Sequence, residues 1–215
     1  MRHRLPVLLT VLAAAVAACG RDAGPAHRIA SGPPPVVVFL GDSLTAGYGV
    51  GEAQAFPALV AERLYARGMP VEAVNAGVSG DTTADGLRRL DRILVDHPDA
   101  VVVGLGANDG LRGVPVDEIE RNLREIVMRV ERAGATPLLL GMRVPPTFGT
   151  RYSRQFEEVY ERLADDLGVA LVPFMLKGVA GRPTLNLEDR LHPNAAGHRR
   201  IAETVAPYLE RLLRR

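Results

Sequence analysis

Between residues 36 and 212 the chain alternates short apolar runs with longer stretches whose apolar residues recur every three or four positions. The short runs cover 36–40, 71–75, 100–105, 136–141 and 170–173. The first, Val36-Val37-Val38-Phe39-Leu40, is continuous and rich in β-branched residues, as expected of a strand buried on both faces. The intervening stretches carry helical stripes. Phe56, Leu59, Val60 and Leu64 form one, and Ile119, Leu123, Ile126, Val127 and Val130 another. Phe156, Val159, Tyr160, Leu163 and Leu167 repeat the form, and Ile201, Val205, Tyr208, Leu209 and Leu212 mark the last helix. Residues 82–96, with the thinner stripe Leu87, Leu90 and Leu94, predict a further helix. Gly68, Gly134 and Gly168 fall just past three of these helices, where a C-terminal glycine belongs. Strand and helix in alternation imply a parallel sheet covered on both faces, a three-layer α/β/α domain with five strands.

The first strand stops abruptly at Gly41-Asp42-Ser43, followed by Leu44-Thr45-Ala46-Gly47-Tyr48-Gly49. Ligands bind open α/β sheets in the crevice at the carboxyl ends of the strands. Ser43 therefore sits where a nucleophile would be placed, with Gly47 and Gly49 leaving room for close approach. All three residues of Gly-Asp-Ser also favour turns, so the tripeptide alone decides nothing.

Three later stretches add to it: Asn75-Ala76-Gly77-Val78-Ser79-Gly80-Asp81, Gly104-Leu105-Gly106-Ala107-Asn108-Asp109-Gly110 and Asp189-Arg190-Leu191-His192-Pro193. Together the four supply a serine, a glycine, an asparagine and a histidine in that order. This resembles the SGNH (GDSL) hydrolase superfamily over nearly all of residues 36–212. The runs 106–113 and 143–152 are similar to its bacterial thioesterase I, lysophospholipase and arylesterase branch.

The resemblance implies a flavodoxin-like three-layer fold and hydrolysis of carboxylic esters through an acyl-serine intermediate. It places the oxyanion donors at the Ser43 N–H, the Gly80 N–H and the Asn108 side chain. Gly80 and Asn108 follow the second and third strands, so both belong on the same sheet edge as Ser43.

A serine hydroxyl needs a base within hydrogen-bond reach. Among five histidines, His3 lies near the N-terminus, His27 in a Gly/Pro-containing segment and His97 before a strand, at the wrong edge. The stripe of the last helix puts His198 on its outer part. His192 remains, and Pro193 biases its backbone away from helix. Asp189, three residues earlier, can orient the imidazole. Ser79 is a rival nucleophile, since Gly77-Val78-Ser79-Gly80-Asp81 is one residue short of the Gly-x-Ser-x-Gly elbow. Asp81 stands where that elbow needs a small residue.

Substrate contacts are expected from two segments that overhang this edge. Residues 110–115, with glycines at both ends of Gly110-Leu111-Arg112-Gly113, suit a loop that moves over substrate. Residues 143–152 offer Val144, Pro145 and Phe148 where loops are usually polar, and with Leu111 these form the expected acyl groove.

Residues 1–18 have a basic start and an apolar run well short of the ~20 residues a spanning helix needs, which reads as a signal peptide. Val16-Ala17-Ala18-Cys19 resembles the bacterial lipobox, which makes Cys19 the lipidated mature N-terminus and residues 19–35 a flexible tether to the domain at 36–215. The expected setting is the periplasm, on a lipid anchor, as a monomer. The formal net charge of +1 offers no case for nucleic acid, and one cysteine excludes an internal disulfide or a thiolate zinc cluster. No cofactor is implied. Two rival activities stay open: a carbohydrate O-acetylesterase of the same superfamily, and a metal-dependent phosphoesterase using Asp42, Asp81, Asp109, Asp189 and His192.

Overall fold

In the computed structural model, which describes residues 32–214, the five apolar runs become β1 (Val36–Gly41), β2 (Glu72–Gly77), β3 (Ala100–Gly104), β4 (Thr136–Leu140) and β5 (Ala170–Val172). All neighbours are parallel, in the order β2-β1-β3-β4-β5. β1 and β3 lie at the centre, and their continuous Val-rich runs are buried because helices cover both faces. β2 is an edge strand, which explains its mixed composition and the half-exposed Val74.

The striped segments form α2 (Phe56–Tyr65), α3 (Thr83–Leu94), α5 (Val116–Arg132), α6 (Thr150–Leu167) and α7 (Ala195–Leu213). α2 packs on α7 over one face, while α3, α5 and α6 pack in series over the other. Of the thin stripe on α3 only Leu90 is fully buried. Two helices had no stripe to announce them: α1 (Ser43–Ala46) and α4 (Ala107–Arg112), directly after β1 and β3.

After β2 the chain crosses to the far side of β1, so β1 and β3 diverge in connection and open a crevice at their carboxyl ends. Gly41 pairs with Gly77 on one side and Gly104 on the other, a row of three glycines across the sheet edge. A Cβ at Gly77 would overlap the Ala46 backbone, and one at Gly41 would overlap Thr45. The row therefore lets α1 lie directly on the edge, with Ser43 at its start.

One expectation is corrected here. His198 is not on the outer part of the last helix but fully buried. It precedes Ile201, Val205 and Leu209 by three, seven and eleven residues, so it lies on the apolar stripe itself, the face that α7 packs against α2 and the sheet. The imidazole is accepted there because Nδ1 takes the Phe56 N–H (3.2 Å), a first-turn donor with no partner inside α2. Residues 1–31, including the signal peptide, Cys19 and most of the tether, lie outside the described residues.

Candidate active site

Asp42 caps α1: its buried carboxylate accepts the Leu44 N–H through Oδ1 (2.9 Å) and fixes the chain as it leaves β1. This presents Ser43 Oγ at the sheet edge, 2.9 Å from His192 Nε2. On the other side of the ring, Nδ1 lies 2.7 Å from Asp189 Oδ2. A carboxylate can only accept, so Nδ1 carries the proton and Nε2 is left to accept the Ser43 hydroxyl.

Local turn chemistry holds the imidazole. Asp189 Oδ1 accepts the N–H groups of Leu191 (2.9 Å) and His192 (3.0 Å), and Leu187 N–H donates to the His192 carbonyl (2.8 Å). The His192 backbone N–H, its imidazole and the Leu191 N–H hold the Asp189 carboxyl down at about 2. Its exposure to water favours the same ionised state. The Tyr48 ring packs against the His192 ring with centroids 4.5 Å apart.

The expected oxyanion donors are brought to the same place. Gly80 follows β2 in a turn with φ of 89°, a left-handed conformation natural to glycine. Asn108, on α4, donates through Nδ2 to the Asp81 carbonyl (2.9 Å), with Asp42 Oδ2 3.4 Å away. Arg89, on α3, ties these parts together: Nε donates to Asp81 Oδ2 (2.7 Å) and Nη2 to the Gly41 carbonyl (2.9 Å). Arg112 donates to the Gly80 carbonyl (3.0 Å). Burial pushes the Asp42 carboxyl up to about 7, against the lowering effect of the Leu44 N–H.

Ser43, Gly80, Asn108 and His192 line one cavity of about 520 Å³. Leu111, Met142, Val144 and Pro145 contribute apolar walls, as do Leu176, Ala180 and Leu191 from the segments between β5 and α7. Ser79 also lines it and is exposed, but the hydrogen bond to His192 belongs to Ser43.

Two expectations fail at the groove. Phe148 is 40% exposed and does not line the cavity. The short 3-10 turn Pro146–Phe148 carries the chain away from the edge after Pro145. The stretch 110–115 is not a loop hinged at Gly110 either. Gly110 is buried inside α4 against Val144 and Phe156, where a Cβ would collide. Sequence reasoning passed over Tyr48, Met142, Leu176, Arg190 and Leu191. Tyr48, Arg190 and Leu191 stood inside the quoted motifs, whereas nothing local marked Met142 or Leu176.

The five groups of the metal reading are separately engaged. Asp109 accepts from Thr83 N–H (2.9 Å) and Oγ1–H (2.6 Å), Asp81 pairs with Arg89, and Asp189 serves His192. Among the described residues no three His, Cys, Asp or Glu side chains gather as metal ligands would.

Residues 39–200 match the GDSL-like Lipase/Acylhydrolase family profile. The chain is 41% identical over 174 residues to the arylesterase of Vibrio mimicus, covering 80% of this chain and 87% of the relative. It is 39% identical over 178 residues to thioesterase 1/protease 1/lysophospholipase L1 of Escherichia coli K12, covering 82% and 84%. The crystal structure of TesA superposes with a TM-score of 0.79 at 40% identity, covering 82% of this chain and 99% of that one.

Proposed function

Since the chain belongs to the GDSL-like lipase/acylhydrolase family and is a serine esterase of the SGNH type, we propose that Ser43 is its nucleophile, His192 its base and Asp189 the carboxylate that orients the base. The observation that carries this is the relay from Ser43 Oγ through the imidazole to Asp189, 2.9 and 2.7 Å, opening into a largely apolar cavity.

Ser43 Oγ attacks the carbonyl carbon while His192 Nε2 takes its proton. Charge on the carbonyl oxygen is met by the Ser43 N–H, the Gly80 N–H and Asn108 Nδ2. Asp189 stabilises the imidazolium and stays ionised. His192 then gives the proton to the departing oxygen or sulfur, leaving the acyl group on Ser43. Water attacks next, losing a proton to His192, and the tetrahedral intermediate expels the acid as His192 reprotonates Ser43 Oγ.

The apolar walls favour an acyl chain over a sugar. The substrates are aryl and acyl esters, acyl thioesters and lysophospholipids, a reading supported by relatives named arylesterase and thioesterase 1/protease 1/lysophospholipase L1. The N-terminal pattern ending in Val16-Ala17-Ala18-Cys19 supports export and lipid anchoring at Cys19. A mature N-terminus found at any other residue by mass spectrometry overturns the anchor.

Ser43→Ala should abolish turnover of nitrophenyl esters while Ser79→Ala keeps most of it. A fluorophosphonate adduct mapped to Ser79 would reverse the assignment.

A further inference from the structure

Arg190 stands between the two members of the relay that share its turn, and its φ is 58°. Among the described non-glycine residues only His97 also has positive φ. That region disfavours any L side chain and suits glycine. The turn imposes it. Asp189 Oδ1 passes over the next N–H group and accepts the two after it, those of Leu191 and His192, while Arg190 N–H donates to the Leu187 carbonyl (2.9 Å). The chain thus spends a glycine position on an arginine, and an outlier held beside a site points to a use for its side chain.

Arg190 is exposed and is one of the residues lining the cavity of Ser43 and His192. The cavity's other arginine, Arg143, is neutralised by Glu157 and lies over the Phe174 ring, 4.9 Å from its centroid. Arg190 has no ion pair among the described residues. The lining includes one carboxylate, Asp42, which is fully buried and committed to Leu44 and Asn108. The open charge of the cavity is therefore cationic and belongs to Arg190.

Chemistry places it relative to substrate. His192 Nε2 hands its proton to the leaving group, so the leaving group passes on the side of the His192 turn. Leu111, Met142, Val144 and Pro145, from the other segments, suit the acyl half. We propose that Arg190 forms an anion subsite for the leaving-group half of the substrate, giving preference to esters whose alcohol carries a phosphate. This rests on the assignment of Ser43 and His192 above.

The test compares kcat/KM for 1-butyrylglycerol and its 3-phosphate, soluble esters with one acyl chain, in the full-length protein, Arg190→Gly and Arg190→Lys. The wild-type ratio of phosphorylated to neutral ester should fall about fivefold in Arg190→Gly, the upper range for an exposed ion pair. Arg190→Lys should keep part of it. Glycine suits the left-handed position, so the turn survives the change. The wild-type ratio should also shrink between 0.1 and 1 M salt, as the screening length drops from ~10 to ~3 Å. Arg88→Gln, which removes an exposed charge paired with Asp85 on α3, should leave the ratio unchanged. An unchanged ratio in an active Arg190→Gly protein overturns the subsite and leaves the esterase assignment standing. Full activity in Ser43→Ala overturns the assignment on which the subsite rests.

Discussion

At the scale of single residues, Arg89 never reaches the cavity, yet it holds the Gly41 carbonyl beside Ser43 and the Asp81 carboxylate beside Gly80. Asn108 in turn leans on the Asp81 carbonyl. One positioned oxyanion donor is typically worth roughly 10²–10³ in kcat. Asn108→Ala should lose that much with little change in KM, because the donor acts in the transition state. Arg89→Gln should lose at least about tenfold in the same way, and the double variant should fall no further than Asn108→Ala. Independent, multiplying losses would show that Arg89 acts elsewhere. Asp42 makes a second prediction. It loses its proton near 3.8 when unfolded but only at about 7 in the fold. Between those values the folded state binds more protons, so this residue lowers stability as pH rises. Asp42→Asn removes that loss. Denaturation curves should show the variant gaining on the wild type from pH 4 to 7, by up to roughly 4 kcal/mol at ~1.4 per pH unit. Parallel stability curves would show Asp42 ionised in the fold.

The element that most separates expectation from structure is α4. Its sequence, Ala107-Asn108-Asp109-Gly110-Leu111-Arg112, is rich in turn formers, and six residues cannot show a helical stripe. It is helical because its inner side is packed: Asp109 is buried on Thr83, and Gly110 on Val144 and Phe156. Opposing effects meet at Gly110. Alanine would gain up to ~1 kcal/mol in helix propensity, but its methyl has no room beside Val144 and the Phe156 ring, and overpacking costs ~1–3 kcal/mol. The clash should win, so Gly110→Ala should lower Tm. A raised Tm would mean that α4 is as loose as a mobile loop. The same packing ties Asn108 to the apolar wall of the cavity, since α4 carries both Asn108 and Leu111.

For the molecule as a whole, the sheet order places β1 and β3 at the centre and gathers the segments after β1, β2, β3 and β4 at one edge. The cavity there has apolar walls from α4, from the segment after β4 and from the stretch between β5 and α7. Each methylene taken from water is worth at most ~0.8 kcal/mol, about fourfold in kcat/KM. Selectivity should climb from acetyl esters with acyl length until the cavity is full, and Val144→Asp should flatten the climb. A profile highest at acetyl would point to the carbohydrate esterase instead.

Periodicity and turn chemistry act over a few residues, and whatever depends on them could be read from the chain alone. The five strands, the striped helices and the parallel three-layer class follow from alternation of that kind. The candidate site was legible as residue types through the resemblance of four ordered motifs to the SGNH superfamily, and Gly-Asp-Ser and Asp-x-x-His-Pro prove to be local turns that carry their own hydrogen bonds. His198 was legible as well: it precedes Ile201, Val205 and Leu209 by three, seven and eleven residues and so continues their stripe, and only its polar side chain suggested the outer face. What depends on contacts between distant segments was decided only in three dimensions. Phe148 misses the cavity because a turn redirects the chain after Pro145. Arg89 and Arg190 drew no notice in the sequence, one being a charge on a helix and the other a residue between two motif positions. Their partners, or their strained backbone, exist only once β1, β2 and the last turn have met.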